Sequence, residues 1–168
     1  MVLLKFKLGF PKILIESFVS LVLTPSLFNN FDPSFNLGLS FLLSSPKSEK
    51  LETPFAFAAA AAFSDRIAAS ASIHGVRLIT DAQDSPHLDA HKIKGEMYFG
   101  CAETDSYAPT EMVDALSAYL AKTEIKARVE WYPGTQHGFV FPKREGLYDK
   151  PAAERHWERL FAMYRRCL

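Results

Sequence analysis

The sequence predicts an α/β fold in which a mainly parallel sheet is flanked by helices, and three observations carry that expectation. First, short apolar or alternating runs of strand length recur at Ile67–Ile73, Gly95–Phe99 and 127–131. Second, segments with the 3–4 spacing of an amphipathic helix follow the last two of these runs, as strand–helix alternation in a layered fold requires. Third, those two runs lead into residues suited to moving protons, Asp105 and His137. In open α/β sheets functional groups gather in the loops beyond the carboxyl ends of strands.

Composition bounds the possibilities. A chain of 168 residues with 48% hydrophobic and 23% charged residues is one globular domain, not a disordered segment. Its formal net charge of zero leaves no electrostatic footprint for nucleic acid or an anionic membrane surface. The two cysteines, Cys101 and Cys167, are far apart and make no CxxC pattern, so neither a disulfide framework nor a zinc site is indicated. That usage suits a reducing compartment, and a cytoplasmic location is expected. Nothing in the pattern calls for a cofactor.

Residues 1–53 read differently from the rest. Lys5, Lys7 and Lys12 precede Ile13-Leu14-Ile15 and Phe18–Leu23, a signal-peptide-like layout, but Pro11 and Glu16 interrupt it and no small-x-small cleavage site follows. The apolar stretch is shorter than the ~20 residues of a membrane span, so membrane association is not expected. Residues 29–50, rich in Ser, Phe, Asn and Pro, hold no sustained period and read as loop. The shift in composition near Leu51 predicts an N-terminal segment, 1–53, unrelated to the folded part or poorly ordered, followed by a domain over 54–168.

Along that domain, Pro54 opens a helix that is apolar all round, Phe55 to Phe63, and such a helix belongs against a core. Ser64-Asp65 breaks it. Ile67–Ile73, made of small residues, reads as a buried strand ended by His74-Gly75. A polar connection over 80–86 leads to the strand Gly95–Phe99, with Cys101 just after it as a small buried residue. Thr110 is suited to cap a helix from Glu111 to about Lys122, with Met112, Val113, Leu116 and Leu120 on one face. Arg128-Val129-Glu130-Trp131 alternates as a half-buried strand does, which puts Glu130 on a polar face. A last helix from about Pro151 carries the stripe Ala153, Trp157, Leu160, Phe161 and Tyr164. His87 and His91 stand at i,i+4 and could share a metal on a helix, but no HExxH glutamate or distant third ligand accompanies them. No metal is expected. His74 and His156 read as packing residues.

With these residues in place, 54–168 resembles the C-terminal half of the dienelactone hydrolase family of α/β-hydrolases. The matching pieces are Phe63 to Ala69, Ile73-His74-Gly75-Val76-Arg77-Leu78 and Gly100-Cys101-Ala102-Glu103-Thr104-Asp105. They continue with Tyr132-Pro133-Gly134-Thr135-Gln136-His137-Gly138-Phe139 and Ala152 to Arg159. The resemblance implies a partial α/β-hydrolase fold and a Cys/Ser-His-Asp triad acting on a small ester or lactone, with Asp105 as the acid and His137 as the base. The imidazole would deprotonate the nucleophile, and the buried carboxylate would fix its tautomer.

Two departures follow. The family's glycine-flanked nucleophile elbow precedes the helix matching Phe55 to Phe63, yet no glycine lies between Gly38 and Gly75. Ser44, Ser45 and Ser48 sit in a Pro/Lys/Glu-rich loop that does not build such a turn. The early strands of the family also find no counterpart in 1–50. A truncated or rearranged member without hydrolytic activity is expected, prone to self-association through the sheet edge left bare. The alternative is a non-catalytic derivative that binds a partner or ligand. Second, an arginine shortly after the base holds the carboxylate in relatives acting on dienelactone. Here Val140 and Phe141 follow Phe139, and the nearest basic residues are Lys143 and Arg144. A generic carboxylic ester is therefore the expected substrate class.

Overall fold

The structure, a computed structural model, describes residues 18–23 and 55–167. The loop expected over 29–50, the serines within it and Pro54 lie outside the described residues. The elements run β1 (Phe18–Leu23), α1 (Phe55–Ala62), β2 (Ile67–Ile73), a 3-10 helix (Pro86–Lys92), β3 (Glu96–Thr104), α2 (Thr110–Leu120), β4 (Ala127–Gln136) and α3 (Lys150–Cys167). The sheet order is β1-β2-β3-β4. Strands β2, β3 and β4 are parallel, while β1 pairs antiparallel with β2 from Phe18↔Ile73 to Leu23↔Ile67. The mainly parallel α/β architecture is thus present. Phe18–Leu23 forms the edge strand beside β2.

The parallel sheet is buried on both faces, as such sheets are. The two faces follow from alternation along β3. Met97, Phe99 and Cys101 join Phe57 and Ala60 of α1, Ala90 and Ile93 near the 3-10 helix, and Val113, Leu116 and Leu120 of α2. Tyr98 and Ala102 face the other way, with Ala71, Ile73 and Tyr132, and meet Ala153, Leu160 and Met163 of α3. Gly100 is what lets α3 approach so closely: a Cβ there would lie 3.0 Å from the His156 ring. The small Ser70 on β2 acts in the same way towards α1, where its Oγ donates to the Ala56 carbonyl at 3.1 Å.

Several elements differ from their sequence expectation, each for a local reason. Both β3 and β4 run longer, to Thr104 and Gln136, so Cys101 lies inside a strand instead of after one. The N-cap of α2 is Pro109, without a side-chain cap; Thr110 is the first helical residue. Its preceding turn is already held by the Asp105 carboxylate, which accepts from the Tyr107 and Ala108 N–H groups. His87 and His91 sit on a 3-10 helix, where i,i+4 residues do not share a face. His87 Nδ1 is 2.7 Å from Ser85 Oγ, and His91 Nδ1–H donates to the Leu88 carbonyl.

Glu130 is buried, not on a wet face. Arg155 reaches its Oε1 at 2.5 Å, Arg128 its Oε2 at 3.1 Å, and Arg159 stands 3.6 Å away. A buried carboxylate needs such partners. Alternation along β4 placed Glu130 correctly on the face opposite Trp131, but the arginines that roof that face come from β4 itself and from α3.

Candidate active site

Asp105 and His137 come together because the strands that carry them are hydrogen-bonded neighbours. From Met97↔Ala127 to Ala102↔Tyr132 the β3–β4 register is constant; it then shifts by two residues to Thr104↔Gln136. The extra residues of β4 form a bulge at Pro133-Gly134-Thr135. Gly134 supplies the positive φ of 77° that it needs. Two side chains pin the bulge: Glu103 Oε2 accepts from Gly134 N–H at 2.6 Å, and Thr135 Oγ1 donates to the Tyr132 carbonyl at 2.6 Å. Beyond the last paired residues, His137 N–H donates to the Thr104 carbonyl at 3.1 Å. Asp105 and His137 therefore leave the sheet side by side.

Their side chains meet. His137 Nδ1 lies 2.7 Å from Asp105 Oδ2, with the Asp105 side chain 1% exposed and that of His137 11% exposed. Asp105 Oδ1 accepts from Tyr107 N–H at 2.9 Å and Ala108 N–H at 3.2 Å, so both carboxylate oxygens are committed. Burial pushes the Asp105 carboxyl up. The hydrogen bond and charge of His137 and the Tyr107 N–H more than offset this, and hold it below the ordinary carboxylate range. A carboxylate on Nδ1 fixes the ring with its proton on that nitrogen and leaves Nε2 to exchange a proton with a reacting group.

An open cleft of about 540 Å³ borders the pair, lined by Thr104, Ser106, Tyr107, Gln136, His137, Arg144, Glu145 and Leu147. Tyr107 is 58% exposed, and its ring centroid lies 5.0 Å from that of His137. Arg144 reaches the same cleft although it stands seven residues past His137 in the chain. The segment folds back through Phe141 N–H to the Gly138 carbonyl, Arg144 N–H to the Phe141 carbonyl and Asp149 N–H to the Phe139 carbonyl. Its side chain then lies over Gly138. Distance along the chain gave no sign of this, because the return is made by backbone turns.

Gly138 has φ 93°, and a Cβ there would meet Arg144 Cδ at 2.9 Å. Gly138→Ala is therefore expected to lower stability by roughly 1–3 kcal/mol, from backbone strain plus displacement of Arg144. A thermal melt checks this, and an unchanged Tm would show that the loop relaxes freely.

His74 is the residue that sequence reasoning left out of the site. It lies at the end of β2 with φ 56°, 1% exposed, its ring centroid 4.8 Å from that of His137. Gly138 N–H donates to its Nδ1 at 3.4 Å. A signal was present: His74-Gly75 follows a parallel strand at the same sheet end as Asp105 and His137. Ligand atoms of His74, Asp105 and His137 lie within 4.8 Å of one another, a donor set of two imidazoles and a carboxylate. The close Asp105–His137 hydrogen bond already uses one atom of each. Cys101 is buried beneath the site, and burial, followed by the charge of Asp105, pushes its thiol up to about 12, which leaves it an inert thiol.

Comparison with known proteins agrees with this geometry at the level of family and fold. The family model described as dienelactone hydrolase family matches residues 53–168. Protein usf of Aquifex pyrophilus is 30% identical over 106 residues, covering 63% of this chain and 43% of that protein. A protein of Aquifex aeolicus named as a carboxymethylenebutenolidase is 28% identical over 99 residues, covering 59% and 40%. Among solved structures, one described as a dienelactone hydrolase from Klebsiella pneumoniae superposes with a TM-score of 0.59 at 18% identity. It covers 67% of this chain and 47% of that one. At that identity the likeness shows the fold. The chain spans less than half the length of these relatives.

Proposed function

Because the chain belongs to the dienelactone hydrolase family, we propose that Asp105 and His137 are the acid and base of a Cys/Ser-His-Asp triad for hydrolysis of a small ester or lactone. The observation that supports this reading is the 2.7 Å contact between His137 Nδ1 and a buried Asp105 carboxylate at adjacent strand ends. His137 Nε2 would take the proton of the nucleophile and return it to the leaving group, while Asp105 stabilises the imidazolium formed in between. Arg144, in the same cleft, suits a substrate that carries a carboxylate.

The nucleophile is the part these residues do not supply. With no glycine between Gly38 and Gly75, the chain of 168 residues is proposed to hydrolyse no ester by itself. The alternative is a derivative of the fold that binds a partner or ligand, or pairs with a second copy along the outer edge of β1. No helix among the described residues is long and apolar enough to cross a membrane. The two free cysteines support a reducing, cytoplasmic setting.

The test is hydrolysis of p-nitrophenyl acetate by the purified chain beside His137→Ala and Asp105→Asn. No turnover above the variants is expected. Turnover abolished by both changes would overturn the inactivity and place a nucleophile within 1–53, with the acid and base roles intact. Turnover untouched by either would remove those roles.

A further inference from the structure

We infer that His74 is a positioning residue for His137, holding the loop of the base through a hydrogen bond that Gly138 N–H donates to His74 Nδ1. The inference rests on the reading of His137 as base, and it starts from an anomaly in the backbone. His74 occupies the left-handed region at φ 56°, which glycine enters freely and other residues enter at a cost. If the chain only had to turn at the end of β2, glycine or asparagine would serve at 74. A glycine does follow at 75, where a Cβ would crowd the Leu78 side chain at 3.0 Å, so the pair His-Gly is not interchangeable. An imidazole in such a position directs the question to what its side chain holds.

What the side chain does is visible in its contacts. The ring packs tilted against His137 at 4.8 Å, edge-on to Phe139 at 5.2 Å and tilted to Phe141 at 5.9 Å, so it touches the base and both aromatic residues that follow it. The bond from Gly138 N–H, 3.4 Å long, ties down the residue immediately after His137. That bond defines a tautomer. Nδ1 must be an acceptor, so neutral His74 carries its proton on Nε2. A ring of the same size without a lone pair would fill the space and leave the Gly138 N–H without this acceptor.

The His137 loop thus has two anchors on separate strands. Asp105, from β3, orients the ring, while His74, from β2, holds the backbone one residue on. A group acting through the loop in this way touches no substrate. It sets how long the Asp105–His137 bond lasts and how sharply the base is aimed.

Nuclear magnetic resonance of the full chain tests this without any need for turnover. In the wild type, long-range proton–nitrogen spectra are expected to show His74 as the Nε2–H tautomer; the Nδ1–H tautomer would overturn the inference with no variant needed. The low-field Nδ1–H proton of His137 is the second readout. His74→Asn keeps an acceptor where Nδ1 stood and tolerates the left-handed backbone, so it should retain this proton over the wild-type pH range. His74→Phe keeps the ring and loses the acceptor, and exchange of that proton with water is expected to rise at least about tenfold. Equal exchange in the Phe variant and the wild type, or in the Asn and Phe variants, would overturn the proposal. Asp105→Asn separates the two readings: if it leaves the low-field proton of His137 in place, the acid–base reading fails while the His74 tautomer still stands or falls by itself.

Discussion

Phe99→Ala is expected to cost about 3–5 kcal/mol, the usual price of deleting a buried phenyl ring from a core. Phe99 sits in the middle of β3, the strand paired on both sides, and is 0% exposed. Its ring lies 5.8 Å from that of Phe57, also 0% exposed, so it joins the central strand to α1. The alanines around Phe57 on α1 are too short to close the space that would be left. Domains of this size hold only about 5–15 kcal/mol in total, so one substitution removes a large share of the stability. The urea midpoint should fall by at least about 1 M with an unchanged slope. Leu88→Ala is the control: Leu88 is 41% exposed, and a change within about 0.5 kcal/mol is expected. Equal midpoints for the two variants would mean that the α1–β3 contact does not organise the core.

Acid should unfold the protein well above the range where carboxylates alone titrate. Burial, then the nearby His137, lowers the His74 pKa to about 3, with Asp105 opposing. Burial lowers that of His156 to about 4, with Glu130 opposing. Both rings are therefore neutral in the native state, while the unfolded chain takes up protons on them below about 6.5. The unfolded state binds more protons over this interval, so stability falls as pH drops from about 6.5 and nothing is lost above it. At pH 5 the loss comes to about 2 kcal/mol for each histidine. Asp105, whose carboxyl is held low, adds its own loss only at more acid pH, as its bond to His137 is protonated away.

His156 gives the cleaner test, because it stands outside the candidate site. Its ring is surrounded by those of Tyr98, Tyr132, Phe139 and Trp157, and among the described residues neither ring nitrogen has a hydrogen-bond partner. Chemical denaturation at pH 7.5 and pH 5 should show the drop in the wild type, and His156→Phe should remove about half of it. A stability that does not change between those two pH values would mean that neither ring is excluded from protons in the native state.

How much of this was readable in advance depended on whether a residue's partner was near in sequence. The run Ile67–Ile73 carries its burial in its small residues and Met112–Leu120 in its 3–4 spacing, and both elements form as those patterns imply. The pairing of an acid and a histidine at two strand ends was also readable, from Asp105 and His137 as they follow their strands. The strand ends themselves were not. Gly100-Cys101-Ala102 resembles a turn because the small Gly100 and Ala102 suit close packing under α3, and Pro133-Gly134 resembles a break because a bulge uses the same residue types as a turn. The burial of Glu130 and the arrival of Arg144 in the cleft depend on arginines and backbone turns placed by tertiary structure, which no local pattern encodes. His74 stood in plain view after β2, but its role needed the third dimension: only the assembled sheet brings its ring to Gly138.

The bond from His137 N–H to the Thr104 carbonyl has a consequence for motion. It makes the last rung of the β3–β4 ladder also the mounting of the two candidate catalytic groups, whose backbones leave neighbouring strands about one strand spacing, or ~4.8 Å, apart. Fluctuations that part the two backbones must therefore open the end of the sheet, an event on the slow scale of sub-global unfolding. Tyr107, more than half exposed across the cleft, is free of that constraint and can rearrange on the fast scale of surface side chains. The two strand ends and the cleft wall beside them thus keep different clocks: a visiting molecule would meet a fixed backbone behind a wall that adjusts to it.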